Sequence, residues 1–226
     1  MSVKAGITVD RSAWIKELLR LRRKLCRYVR RYYGIEAYEA LLKRFSGALD
    51  IIRDSRRISS IIVRGSSVTM IVVSSKGVEE GVERVVIERS LHGGELIERR
   101  VGVPLEEAYH VVQVGAYGMK CTCTDAVMTA SRADREFERR LRGLIRRLDM
   151  PMPIFTKYVL CKHTLAALAY AFAAGVIKSD SRVINEVIKL AVKALILRVK
   201  GGDSLSKSTI LRMYKTLLRL SKGLPP

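Results

Sequence analysis

Long hydrophobic runs are missing from this chain: the longest nearly apolar stretch, Leu165 to Ile177, covers thirteen residues, well short of the roughly 20 needed to span a bilayer. It reads as a buried helix. Nothing near the first methionine has the apolar character of a signal peptide, since Trp14 and Ile15 soon give way to basic residues; the expectation is a cytoplasmic protein with no membrane partner. Acidic residues are scarce, 22 Asp+Glu against 42 Lys+Arg, giving a formal charge of +20. Amides are few and no internal repeat is visible. Also absent are a nucleophile paired with a base and a carboxylate triad of nuclease or transposase type, so no enzyme and no small-molecule substrate are expected.

What is present is enough for a folded core. At 226 residues, 48% hydrophobic and 28% charged, the chain suits one sizeable domain or two small ones. Its charge is uneven: residues 1–57 hold 15 basic against 6 acidic side chains and residues 161–226 hold 12 against 3, whereas residues 58–120 hold 7 against 8. A surplus of this size faces polyanions such as nucleic acid. The Arg-biased charge enrichment also suits a heat-adapted protein.

Periodicity divides the chain into three zones and predicts an α+β fold, with an antiparallel sheet mid-chain flanked by N- and C-terminal helices. A first helix over Ala13 to Tyr32, capped by Ser12, carries Trp14, Leu18, Leu21, Leu25, Val29 and Tyr32 on one side. Lys16, Arg20, Arg23, Lys24, Arg27, Arg30 and Arg31 lie on the other. A second helix spans Glu36 to Asp54. Short β-branched stretches at Ile58–Val63, Val68–Val73, Val82–Ile87, Glu95–Val101 and His110–Val114 are punctuated by glycines and read as strands. Helical patterns return at 132–148, 162–176, 181–199 and 206–221. The expected organisation is a basic helical segment (1–57), an antiparallel β region (58–120), a metal-binding unit (121–176) with a helical insertion (125–155), and C-terminal helices (177–226), all within one compact domain.

The chemistry stands at the junction of the last two zones, where Cys121 and Cys123 form one short pair and Cys161 and His163 another. In an extended strand residues two apart point to the same side, so the first pair can address one ion. The second pair, at the start of a helix, completes three thiolates and one imidazole. That is the donor set of a closed structural zinc site with no position left for water. Three thiolates on a dication leave −1, which Lys120 and Lys162 stand close enough in sequence to offset. The competing reading is buried free cysteines or a disulfide, the latter credible inside cells mainly in hyperthermophiles. It leaves His163 unexplained.

These four residues resemble the SWIM-type zinc finger, whose motif is Cys-x-Cys, a variable spacer, then Cys-x-His. The resemblance covers about a quarter of the chain. It implies one structural Zn²⁺ in a two-stranded hairpin followed by a helix. The stand-alone SWIM proteins of the Shu recombination complex extend the motif with an alanine three residues after the histidine, and Ala166 stands there. That branch implies an adaptor in homologous recombination and DNA repair, partnering a RecA-like recombinase paralogue on single-stranded DNA. The chain departs from the family in its long spacer.

Within that spacer Arg132, Arg135, Arg139, Arg142 and Arg146 fall in one stripe opposite Phe137, Leu141, Leu144 and Leu148, an arrangement able to present guanidinium groups to phosphates. Asp134, Glu136 and Glu138 compete for them as local ion pairs. Tyr28, Tyr32 and Tyr33 invite a base-stacking reading, but Tyr28 and Tyr32 lie on the apolar side and core packing is expected of them. His92, His110 and Cys26 read as structural. Gly201 to Ser208 misses a phosphate-binding loop, and Ser204 or Ser206 caps the last helix instead. Two functions therefore compete: a zinc-stabilised recombinase adaptor, and an independent nucleic-acid-binding protein without sequence preference.

Overall fold

The computed structural model describes residues 9–89, 96–147 and 154–222. Helix α1 (Arg11–Tyr33) buries Trp14, Leu18, Leu21, Leu25, Cys26 and Val29, the three- and four-residue spacing of a one-faced helix. Its cap is Asp10, whose carboxylate accepts from the Ser12 backbone N–H at 3.2 Å. The helix thus begins two residues earlier than a Ser12 cap requires, because the Asp10 carboxylate meets an orphan donor of the first turn. Gly34, at φ +83°, makes the one-residue reversal into α2 (Ile35–Arg53), a conformation that a side chain would strain.

Both helices pack on α6 (Lys162–Ala173), in which every residue from His163 to Phe172 is buried. Its alanines allow this close approach on all sides. Ala166 is fully buried, and its carbonyl accepts the Trp14 indole N–H at 2.7 Å.

The other side of α6 meets a four-stranded antiparallel sheet in the order β1 (Ile58–Arg64), β2 (Ser67–Val73), β5 (Tyr109–Gly115), β6 (Gly118–Cys121). Along β2 burial alternates, with Val68, Met70 and Val72 inward, and the register sets Val68 opposite Val114 and Met70 opposite Val112. Those pairs make the sheet's apolar face. The remaining strands, β3 (Arg84–Arg89) and β4 (Leu96–Val101), form a separate two-stranded ribbon rather than extending the sheet. Two short helices, α3 (Ser75–Glu80) and α4 (Leu105–Ala108), fall inside the region read as wholly β; runs of four to six residues carry too little periodicity to show in sequence. His92 with Gly93 and Gly94 lies outside the described residues.

Helix α5 (Thr124–Arg147), kinked at Leu141, starts eight residues before the predicted 132. Helix α7 (Arg182–Lys200) packs between α5 and α2, and α8 (Lys207–Ser221) adds to α5. Ser206 caps α8, accepting from Thr209 N at 3.2 Å. The apolar segment 183–199 is consumed by this packing, with ten α7 residues buried, and offers no exposed patch.

Candidate metal centre

Four elements converge at the end of the β5–β6 hairpin. Gly118 opens β6 against the turn at 155–157, where a Cβ would lie 2.9 Å from the Lys157 carbonyl. Only glycine permits that approach. Val159 N–H then donates to Met119 O at 3.3 Å, so the chain entering α6 runs beside β6 and brings Cys161 to Cys121.

Cys121 closes β6 opposite Val112. The strand does not continue through Cys123, as the extended reading assumed. The chain bends, the Cys123 N–H donates to Cys121 Sγ at 3.4 Å, and the Cys123 carbonyl accepts from Ala126 and Val127 at the start of α5. Cys161 is the cap of α6: its Sγ accepts from Thr164 N–H at 3.4 Å, while Cys161 N–H donates to Thr164 Oγ1 at 2.9 Å. Two of the three sulfurs therefore sit at helix N-termini, whose partial positive charge favours thiolate.

The ligand atoms of Cys121, Cys123, Cys161 and His163 all lie within 4.8 Å of one another, and the cluster is the one such group among the described residues. Cys121 Sγ and His163 Nδ1 are 3.7 Å apart. A tetrahedron built on metal–sulfur bonds of about 2.3 Å has edges of about 3.8 Å, so the donors fit a single ion after small movements. All four cysteines are free thiols.

Charge within the cluster is strongly coupled. Burial opposes ionisation of Cys161, yet hydrogen bonds from Cys121, Cys123 and His163 hold its thiol well below the ordinary value. Cys121 is raised by its hydrogen bonds to Cys123 and Cys161 and by burial. Cys123, favoured by Cys121 but opposed by Cys161 and burial, is pushed up to about 12. The three sulfurs thus oppose one another's ionisation, Cys161 being held down while Cys121 and Cys123 are held up. A dication at the centre removes that conflict.

No known protein family, curated protein or solved structure matches this chain. The likeness to SWIM fingers therefore rests on the four-residue motif alone.

Two residues near the site escaped sequence reasoning. His110 of β5, read as structural, has its ring centroid 4.8 Å from that of His163. Burial, then the neighbouring His163, push its imidazole down to about 4. His110 Nδ1 and His163 Nε2 are both buried without hydrogen-bond partners, and one imidazole–imidazole hydrogen bond would satisfy both. Arg44 of α2 is the second. Burial lowers its pKa, while Asp125, bonded at 2.7 Å, and the Cys161 charge act the other way. Arg198 joins it on Asp125 and also donates to Thr129 Oγ1 at 2.7 Å. Arg44 is thus a part-buried cation near enough to act on Cys161, though paired with Asp125, whereas Lys120 is exposed and Lys162 half-buried. Neither contact has a local signal, since β5 and α2 reach the site only through the fold.

Of the arginines read as phosphate contacts, Arg20, Arg23, Arg27, Arg30 and Arg31 are exposed on α1, and Arg132 and Arg135 on α5. Arg139 is engaged instead, at 3.0 Å from Glu136 and 3.5 Å from Asp203. The side chains of Arg142 and Arg146, like Leu148, lie outside the described residues. Tyr32, expected in the core, is 61% exposed: at the last turn of α1 the helix has run past the elements that cover its apolar side.

Proposed function

We propose that this chain is a non-enzymatic nucleic-acid-binding protein whose fold is held by one structural Zn²⁺ on Cys121, Cys123, Cys161 and His163. Three thiolates and an imidazole suit zinc among the common divalent ions, and a set of four protein ligands leaves no open coordination position for chemistry. The observation that carries the binding half is the outer face of α1. Among the described residues, only Arg20 on that face has an acidic partner, Glu17 at 3.8 Å. Lys24 bonds a neutral amide, Asn185, at 2.7 Å, and Arg23 and Arg27 stand in solvent. A helix face of uncompensated cations recognises the phosphate backbone without reading sequence.

The test is a titration of labelled single- and double-stranded oligonucleotides across salt. Log affinity should fall linearly with log salt, and the double variant Arg23→Gln/Arg27→Gln should make that slope shallower by about 0.7–0.9 per contact removed. Absence of binding at low salt, or affinity indifferent to salt, would sink the reading.

The recombinase-adaptor role is a second reading, favoured by a groove of about 330 Å³ between α1 and α2, lined by Leu18, Leu19, Leu42, Phe45 and Leu49 and rimmed by Arg22 and Lys43. An apolar groove with a basic rim suits an acidic, apolar segment of a partner. Co-purification with a RecA-like recombinase paralogue, lost on Leu19→Asp, is the expected result; purification of the parent without one discards it.

A further inference from the structure

The last two turns of α1 carry three tyrosines, and they do not behave alike. Tyr28 and Tyr33 are half-buried and locked together, their hydroxyls 3.2 Å apart and their rings edge-on at 5.7 Å. Burial, and then that hydrogen bond, hold the Tyr33 phenol above its ordinary value. Tyr32 is the outer member. Its ring leans on Tyr28 at 5.2 Å, has the exposed Arg31 guanidinium over it, and is otherwise open to solvent.

We infer that Tyr32 is a stacking platform for one unpaired nucleobase, with Arg31 and Lys200 placed for the adjoining phosphates. The inference rests on the nucleic-acid reading above and specifies where that site prefers single strands. Three features support it. The ring is held in place before any ligand arrives, because Tyr28 buttresses it and the Arg31 guanidinium lies 5.4 Å from its centroid, so little freedom is lost on stacking. A hollow of about 370 Å³ adjoins it, lined by Tyr32, Tyr33, Gly34, Lys200 and Ser204. Gly34 contributes no side chain to that floor, and its missing Cβ would stand 3.6 Å from Lys200 Nζ.

The surroundings are cationic. Lys200 Nζ, held over the hollow by the Tyr33 carbonyl at 3.2 Å, has Glu36 at 3.7 Å as its acidic neighbour. Arg27 and Arg30 lie on the preceding turn of α1, and Arg212 of α8 is near enough to act on Tyr33. An exposed aromatic ring set among arginines and a lysine matches a base with its phosphates: the ring takes any base by its π-face and the cations take the backbone. In a duplex both faces of a base are already stacked, so the contact is available to unpaired bases alone.

The experiment uses the full chain with single-stranded DNA and RNA of one sequence carrying 2-aminopurine, and a duplex of the same sequence as control. Stacking on Tyr32 should quench the fluorescence of the single strands. Tyr32→Ala should abolish the quench and weaken single-strand affinity roughly 5- to 150-fold, leaving duplex affinity and melting temperature unchanged. Tyr32→Phe should restore both signals. Loss with DNA and RNA alike assigns the site to the base and phosphate that they share, and loss confined to one assigns that nucleic acid. If the parent binds single strands and Tyr32→Ala binds and quenches them equally, the platform is overturned while the nucleic-acid reading stands. If the parent binds neither strand form at low salt, both fall.

Discussion

Cys161→Ser separates the metal from everything else that Cys161 does. The side chain is fully buried and has two structural roles, since its sulfur addresses the cluster and also caps α6 by accepting from Thr164 N–H. Serine is among the best helix caps, so the variant keeps the cap and removes only the thiolate. With free zinc at about 100 times its dissociation constant, binding stabilises the parent by about 2.7 kcal/mol. For a chain of this size 1 kcal/mol shifts the melting temperature by about 2–4 °C, so the variant should melt about 5–11 °C lower, and each further tenfold in affinity widens the gap. Metal analysis should find one zinc per parent chain and none in the variant, and excess chelator should bring the parent's melting curve down to the variant's. Cys26→Ser is the control, because Cys26 is buried on α1 and outside the cluster; it should keep its zinc. A parent free of zinc after growth in zinc-replete medium, or a Cys161→Ser protein that retains one equivalent, refutes the site.

Removing His110, which packs beside the ligand His163, should weaken zinc affinity by about 10- to 100-fold in a competition titration with a chromogenic chelator; unchanged affinity would make that ring mere packing. Because hydrogen bonds within the cluster and burial hold the Cys121 and Cys123 thiols above their ordinary value, zinc binding at neutral pH should release thiol protons and the affinity should fall as pH falls. Proton uptake by a weak indicator buffer counts them, and a release of none contradicts the charge assignment. Asp134 is raised above its usual carboxylate value by burial, against the two backbone N–H groups of Phe155 and Ile154. A carboxyl with a raised folded-state pKa destabilises the fold above that pKa and not below the unfolded value. Asp134→Asn, which keeps the accepting oxygen, should therefore be relatively more stable at pH 7, and the advantage should shrink as pH falls through the folded pKa; urea melts across that range would expose the opposite trend.

What could be read in the chain before its structure follows from the range of the signal. The stripe from Trp14 to Val29 and the alternation along Val68, Met70 and Val72 are periodicities of one element, and both appear in the buried set. The four ligands were equally legible because each pair is local: a two-residue step at the end of a strand and a capping cysteine two residues before a histidine. Misreadings arose where an element's fate depends on what lies opposite. Tyr32 shares the apolar side of α1 by angle, yet among the described residues it is left exposed at the helix end. Strands β3 and β4 have sheet-like sequences, yet among the described residues they pair only with each other.

His110 and Arg44 show the same limit at the site itself. One lies 53 residues from its neighbour in the cluster and the other 117 from Cys161, and only the packing of β5 and α2 on α6 unites them. That packing also explains why the four donor side chains converge where they do. Cys121 ends β6, Cys123 precedes α5 and Cys161 caps α6, so an ion held by them would tie the end of the sheet to the first turns of both helices. Because α1 packs on α6, loss of such a tie is expected to loosen the frame that carries the exposed cations of α1.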